Sequence, residues 1–295
     1  MGPLTQLFGF TQYDLPGTLE VADGRYLERD AGGADRGVLV VEALAAAPLP
    51  SRRRRRAQPA EAGGSPPGLP LSRATAVRVA EPLAGVEEAE RWLLAAVESE
   101  ESVDALVAEG IALVNRALFA QGAATADPRL RELSELEASA VRIGYGTGEE
   151  VAAGRYTAAR YVDVSETGAS RRRRRADELR PQERVAAVLG GRERIDACEP
   201  LLLRARADLD AGRLREAALQ LRVGLEALLV ELSGALADPG HSEDMAELES
   251  RREGVGRAAN AALRGDLPVE EAQWVRETVE ICERVLRRRR VLRGG

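Results

Sequence analysis

Lysine does not occur in this chain: all 42 basic side chains among its 295 residues are arginine. A P-loop, which needs a Gly-Lys-Ser/Thr ending, is thereby excluded. Histidine occurs once, at His241, and a zinc site built on it would have neither a second histidine nor a nearby cysteine pair. Cysteine occurs twice, at Cys198 and Cys282, which is too few for a disulfide framework and forms no C-x-x-C motif. Aromatic residues make up only 3%, so the cores must be built from Leu, Val and Ala, a composition that favours helix packing. No apolar run reaches the roughly 18 residues of a membrane span, so no membrane association is expected. The segment Met1 to Gln6 has no basic region followed by an apolar core, and Gln6 stands where a myristoylation pattern requires Ser or Thr. A cytoplasmic location is expected.

The charge that is present is unevenly placed. The formal net charge is −6, which disfavours nucleic acid and anionic membranes as bulk partners. Three arginine runs stand apart: Arg52, Arg53, Arg54, Arg55 and Arg56; Arg171, Arg172, Arg173, Arg174 and Arg175; and Arg287 to Arg290. They hold 14 of the 42 arginines and leave 28 basic residues against 48 acidic ones elsewhere. The body of the protein is therefore strongly acidic. The runs can contact phosphates or dock on an acidic protein surface, this chain's own included.

Along the chain, Phe8 to Tyr13 concentrates three of the few aromatics and reads as a tail tucked against its own domain, or as a docking peptide. Asp23-Gly24 between Thr18–Ala22 and Arg25–Arg29 predicts a two-residue hairpin. Gly37 to Ala43 and Ala74 to Ala80 read as strands. Between them, residues 48–72 are rich in Pro, Gly and Arg and read as a disordered loop. Helical periodicity starts at Val86. Asp127-Pro128 predicts a further helix start carrying Leu130, Leu133 and Leu136. Val141 to Tyr145 and Tyr156 to Val164 return as strands. Residues 165–180 read as an Arg-rich linker. Beyond them apolar residues recur every three or four positions in four segments joined by short connections, with Leu214, Ala217, Leu221, Leu225, Leu228 and Leu232 as the clearest seam.

The fold class expected is therefore α+β. An N-terminal, mainly antiparallel sheet with helices on one side (residues 1–164) precedes a C-terminal, all-α antiparallel helical bundle (residues 181–295). The stretch from Arg204 to Ala217 resembles one tetratricopeptide-type helix pair, although no second copy follows at the period such arrays need. The helical half is also similar to HEPN-type bundles, whose R-x-x-x-x-H motif is absent here.

The string most suggestive of chemistry is Gly144, Tyr145, Gly146, Thr147 and Gly148, because glycine lets backbone N–H groups approach phosphate. Gly144, Gly146, Thr147 and Gly148 form the phosphate-loop candidate. The same residues also fit a capping box, with Thr147 capping and Glu150 reaching back. His241 reads as an exposed loop residue, and Cys282 as a small hydrophobe on an apolar seam. No catalytic residue, metal ligand or cofactor is expected. The function expected is that of a non-enzymatic interaction or regulatory protein, acting through its bundle and Arg-rich segments on a protein partner, with a homo-oligomer through the bundle also open. The alternatives are a protein that uses its arginine runs on nucleic acid without sequence specificity, and an enzyme whose site is assembled from scattered acidic and Arg residues.

Overall fold

The computed structural model describes residues 6–30, 32–44, 70–129, 131–164, 181–233 and 238–293. The chain divides into two compact units, Met1–Arg172 and Arg173–Gly295. The arginine runs at 52–56 and 171–175 lie outside the described residues, as do positions 48–69 of the predicted loop and the whole predicted linker.

The first unit is built on six antiparallel strands: β1 (Leu7–Pro16), β2 (Gly24–Arg29), β3 (Asp35–Leu44), β4 (Leu71–Arg78), β5 (Ala140–Thr147) and β6 (Ala158–Val162). Their order across the sheet is β2-β3-β4-β1-β5-β6. The segment Phe8 to Tyr13 is thus no tail. It runs through the middle of the sheet, paired with β4 on one side and β5 on the other. Its polar residues hid this role, because Thr11, Gln12 and Asp14 are all buried.

Side chains alternate between the two faces. Tyr13, Leu15, Leu39, Val41, Ile143 and Tyr145 point to one side. They pack there with Leu93, Val107, Ile111 and Val114 of the helices α1 (Val86–Glu98) and α2 (Glu100–Thr125). Two strand side chains reach into α2: the Tyr13 hydroxyl donates to the carbonyl of Val107 at 2.6 Å, and the Thr11 hydroxyl donates to that of Leu106 at 3.3 Å. α2 accommodates Tyr13 at Gly110, where an added Cβ would lie 2.5 Å from the tyrosine oxygen. The long helices therefore cover one face, as the alternation implied. On the other face Phe10, Val40 and Val77 meet Val151 of the one-turn helix α3 (Gly148–Val151).

Two local expectations fail. Asp23-Gly24 turns no hairpin, because Thr18–Ala22 is not a strand. The Gly17 N–H donates to the carbonyl of Pro70 at 2.7 Å and the Leu19 N–H to Ser72 Oγ at 2.9 Å, which ties this segment to the start of β4. β2 pairs instead with β3, closed by Asp30, whose Oδ1 accepts from the Ala34 N–H at 2.9 Å, and by Gly33 at φ +83°. The helix expected from Asp127-Pro128 is also missing among the described residues. Asp127 makes a turn by accepting the Arg129 N–H at 2.9 Å, and only a 3-10 turn, Glu135–Glu137, follows. Asn115 of α2 explains why: its amide donates to the Leu133 carbonyl at 2.9 Å and accepts the Leu133 N–H at 2.8 Å. Both backbone groups of Leu133 are taken by a residue 18 positions away.

The second unit comprises α4 (Pro181–Leu189), α5 (Cys198–Asp210), α6 (Leu214–Glu231), α7 (Pro239–Ala262) and α8 (Val269–Arg293). Its core is aliphatic, with Leu202, Leu221, Leu225, Leu228, Leu248, Val255, Val279 and Val285 all buried. Each such side chain contributes about 1.5–3 kcal/mol on leaving water. Gly212, at φ +73°, turns α5 into α6 in the left-handed conformation that glycine adopts without strain. The far end of this hairpin is closed by Glu231, whose carboxylate accepts the N–H groups of Ala197 and Cys198, each at 3.0 Å. One side chain at the end of α6 thereby caps the start of α5.

Candidate functional site

α6 is apolar on two sides. Its inner side presents Ala217, Leu221, Leu225 and Leu228 to the core. At 3.6 residues per turn, a residue two positions beyond a core leucine lies about 200° around the helix. Val223 stands in that relation to Leu221, and Val230 to Leu228. They are correspondingly exposed, at 56% and 75%, whereas Leu219, one turn before Val223, packs against the core. The polar residues flanking this outer stripe are held in place: Arg252 grips Glu226 through two bonds of 2.8 and 2.7 Å, and Arg222 donates to Asn260 at 3.0 Å. The outer side of α6 thus leaves two valines, seven positions apart, in solvent beside ion-paired and hydrogen-bonded neighbours.

Three of the four arginines in the third run pair inside the same unit. Arg288 contacts Asp238 and Asp244 at 3.5 and 3.3 Å, Arg289 pairs with Asp196, and Arg290 donates to Glu199 at 2.8 Å. Arg184 adds a bidentate pair to Glu199, at 2.8 and 2.7 Å. Burial works to raise the Glu199 carboxyl, but Arg184 and Arg290 override it and hold the group below the usual carboxylate range. Arg288, Arg289 and Arg290 thus pair with the unit's own acids, while Arg287 is exposed.

The phosphate-loop candidate takes a different form. Gly144 lies in β5 against β6, where an added Cβ would collide with the carbonyl oxygen of Ala158. Thr147 caps α3: its hydroxyl accepts the Glu150 N–H at 3.2 Å, and Glu150 Oε2 accepts the Thr147 N–H at 2.9 Å. Glu150 also receives the Thr157 hydroxyl at 2.7 Å, and these bonds lower its pKa. A carboxylate thus occupies the region where the candidate reading puts a phosphate, and Gly146 faces Glu150 and Tyr156.

His241 is not an exposed loop residue. Asp238 caps α7 by accepting the His241 N–H at 2.8 Å, and the helix turns the imidazole onto its buried side, seven residues before Leu248. Both cysteines are buried, and burial pushes each thiol up to about 12, with the Glu231 carboxylate adding to the effect at Cys198. Neither sulfur is a thiolate near neutral pH.

Sequence reasoning missed a polar cluster on the α3 side of the sheet. Asp14 receives Arg142 Nη2 at 2.7 Å and Arg73 Nε at 2.8 Å. Gln12 accepts from Arg142 at 3.2 Å and donates to Thr75 Oγ1 and to the carbonyl of Gly154, both at 3.0 Å. Arg142 lies 4.6 Å from the centre of the Tyr161 ring. Strand register brings these groups together from positions more than 140 residues apart, and no local spacing signals them. The outer stripe of α6, by contrast, was readable as a second apolar period on a helix already assigned to the core.

Among the described residues, no helix is long and apolar enough to cross a membrane, and no group of His, Cys, Asp and Glu is arranged to hold a metal ion. No family model, curated protein or solved structure matches the chain.

Proposed function

We propose that this chain is a non-enzymatic, cytoplasmic interaction or regulatory protein whose helical unit docks another protein, a second copy of the chain included. The observation that carries this reading is the two-faced helix α6, with Leu221, Leu225 and Leu228 in the core and Val223 and Val230 exposed on the opposite side. Apolar side chains lose free energy by remaining in water, and a partner that covers them recovers it. The groups that most often carry covalent chemistry support binding over catalysis: both thiols are buried and protonated, and His241 is enclosed. For the third arginine run, the reading in which it binds nucleic acid is weakened by the internal pairing of Arg288, Arg289 and Arg290.

The experiment is affinity capture from native cell extract with the intact chain, in the presence and absence of nuclease. Specific protein partners retained under both conditions are the expected result. Partners that all disappear with nuclease would contradict it and favour the polyanion reading.

A further inference from the structure

In the first unit a cleft of about 430 Å³ opens between the end of β1, the C-terminal part of α2 and the segment that follows α2. That volume lies within the range of small-molecule sites, about 300–1,000 Å³. Its floor is apolar, formed by Leu15, Leu19, Leu118 and Leu133. Its rim carries five charged residues, of which Arg131 and Glu137 pair with each other. Arg131 holds Glu137 through two bonds of 2.9 and 2.6 Å, and Asp127 accepts the Arg129 N–H at 2.9 Å. Arg131 keeps the Glu137 carboxyl below its ordinary range, so that group is a fixed anion and not a proton donor.

Three rim residues, Glu20, Asp127 and Arg129, form no ion pair among the described residues, and Asp127 is already turned toward the Arg129 backbone. The side chains of Glu20 and Arg129 form no hydrogen bond or ion pair among the described residues, and both are exposed. They line the cleft and also the recess that adjoins it. The two carry opposite charge and share one rim, yet they do not pair with each other. The structure around them is held in place by the Asn115 clamp on Leu133 and by the capping box of Ser134 and Glu137. Anionic and cationic side chains on one rim, unpaired among the described residues, together with apolar lining residues match one class of small molecule.

We infer that the cleft binds a zwitterion with an aliphatic body, of the kind represented by a branched-chain α-amino acid. Arg129 receives the carboxylate, for which its planar guanidinium offers a two-point match. Glu20 receives the ammonium group. The aliphatic side chain covers Leu15, Leu19, Leu118 and Leu133. This site lies in the α+β unit and does not depend on the α6 face, so either proposal can fail alone.

The test is calorimetric titration of the full chain with L-leucine, with 4-methylpentanoate, which lacks the ammonium group, with 3-methylbutylamine, which lacks the carboxylate, and with glycine, which lacks the apolar body. Saturable binding of L-leucine is expected, with each of the other three weaker by roughly tenfold or more: the acid and the amine each lose a charged hydrogen bond, and glycine loses the burial of the aliphatic side chain. Arg129→Gln and Glu20→Gln should each lower L-leucine affinity by about the same factor. Arg129→Gln should leave 3-methylbutylamine unaffected, and Glu20→Gln should leave 4-methylpentanoate unaffected. Both positions are exposed, so an unchanged thermal transition will show that the variants are folded. Absence of L-leucine binding, or binding unaltered by both substitutions, overturns the inference. Equal affinity for the singly charged compounds overturns it as well.

Discussion

Arg142 and Asp14, 128 positions apart in sequence, meet across the β1–β5 pair at 2.7 Å, on the face of the sheet opposite α1 and α2. Both are buried, and Arg73 supplies the second bond to the same carboxylate. Removing one partner of a buried pair strands the other charge, at a cost of about 3–5 kcal/mol. Asp14→Ala should therefore destabilise the first unit by about 3 kcal/mol or more in urea unfolding. Arg142→Met with Asp14→Leu should cost much less than the sum of the two single changes. Additive effects would show that the two groups do not depend on each other.

The same carboxylate sets an acid limit. Burial works to raise the Asp14 carboxyl, and its hydrogen bonds from Arg142 and Arg73 override this and lower it. Glu199 follows the same pattern through Arg184 and Arg290. Because both groups titrate lower in the folded chain than in the unfolded one, the unfolded chain takes up protons first as the pH falls. Their contribution is complete above the ordinary carboxylate range, about 4, and is lost as the pH falls through their folded-state values. Urea midpoints measured from pH 7 downward should hold to about pH 5 and then drop. Asp14→Asn should start lower and drop less. An equal drop in the variant would remove Asp14 from the account.

The Thr147–Glu150 pair offers a test of the glycine-rich string. Loss of an N-cap costs about 1 kcal/mol, so Thr147→Ala should lower stability by about that amount. Phosphate should neither stabilise the wild-type chain nor discriminate it from the variant in thermal unfolding. A phosphate-dependent rise in the wild-type midpoint that Thr147→Ala abolishes would favour the phosphate-loop reading.

How much of this was legible depends on how local each signal is. The seam of α6 could be read directly, because Leu221, Leu225 and Leu228 recur at helical spacing and need only their own helix to be aligned. The strands β3, β5 and β6 were likewise legible near their observed positions, whereas the pattern for β4 runs from Ala74 to Ala80 and leaves its first residues, Leu71 and Ser72, in the predicted loop. β1 was misjudged because Gln12 and Asp14 look solvent-facing until Arg142, Thr75 and Gly154 arrive to satisfy them. The false helix after Asp127 has the same origin: the cap and proline were correct in kind, but Asn115 takes both backbone groups of Leu133. The cleft draws on β1, α2 and the segment at 127–137, and no single stretch of sequence carries its pattern.

The core of the bundle should fail differently from its surface. Leu225→Asp places an unpaired charge among side chains with almost no solvent contact and should cost several kcal/mol, seen as loss of the cooperative helical transition by circular dichroism. Val223→Asp lies on the outer side of the same helix and should change stability by no more than about 0.5 kcal/mol. Comparable losses in both variants would show that the outer stripe is covered within the chain.

That contrast makes Val223 and Val230 the most direct probe of the proposed function. The measurement is capture of protein partners from nuclease-treated native extract by the wild-type chain and by a variant carrying Val223→Glu and Val230→Glu, quantified by mass spectrometry after the thermal transitions of both have been matched. The account predicts that the principal partner, or the second copy of the chain, is retained by the wild type and reduced by about tenfold or more in the variant, as expected when charge enters an apolar contact. Equal recovery of every partner by the two folded proteins would contradict the assignment of the outer face of α6 as the docking surface.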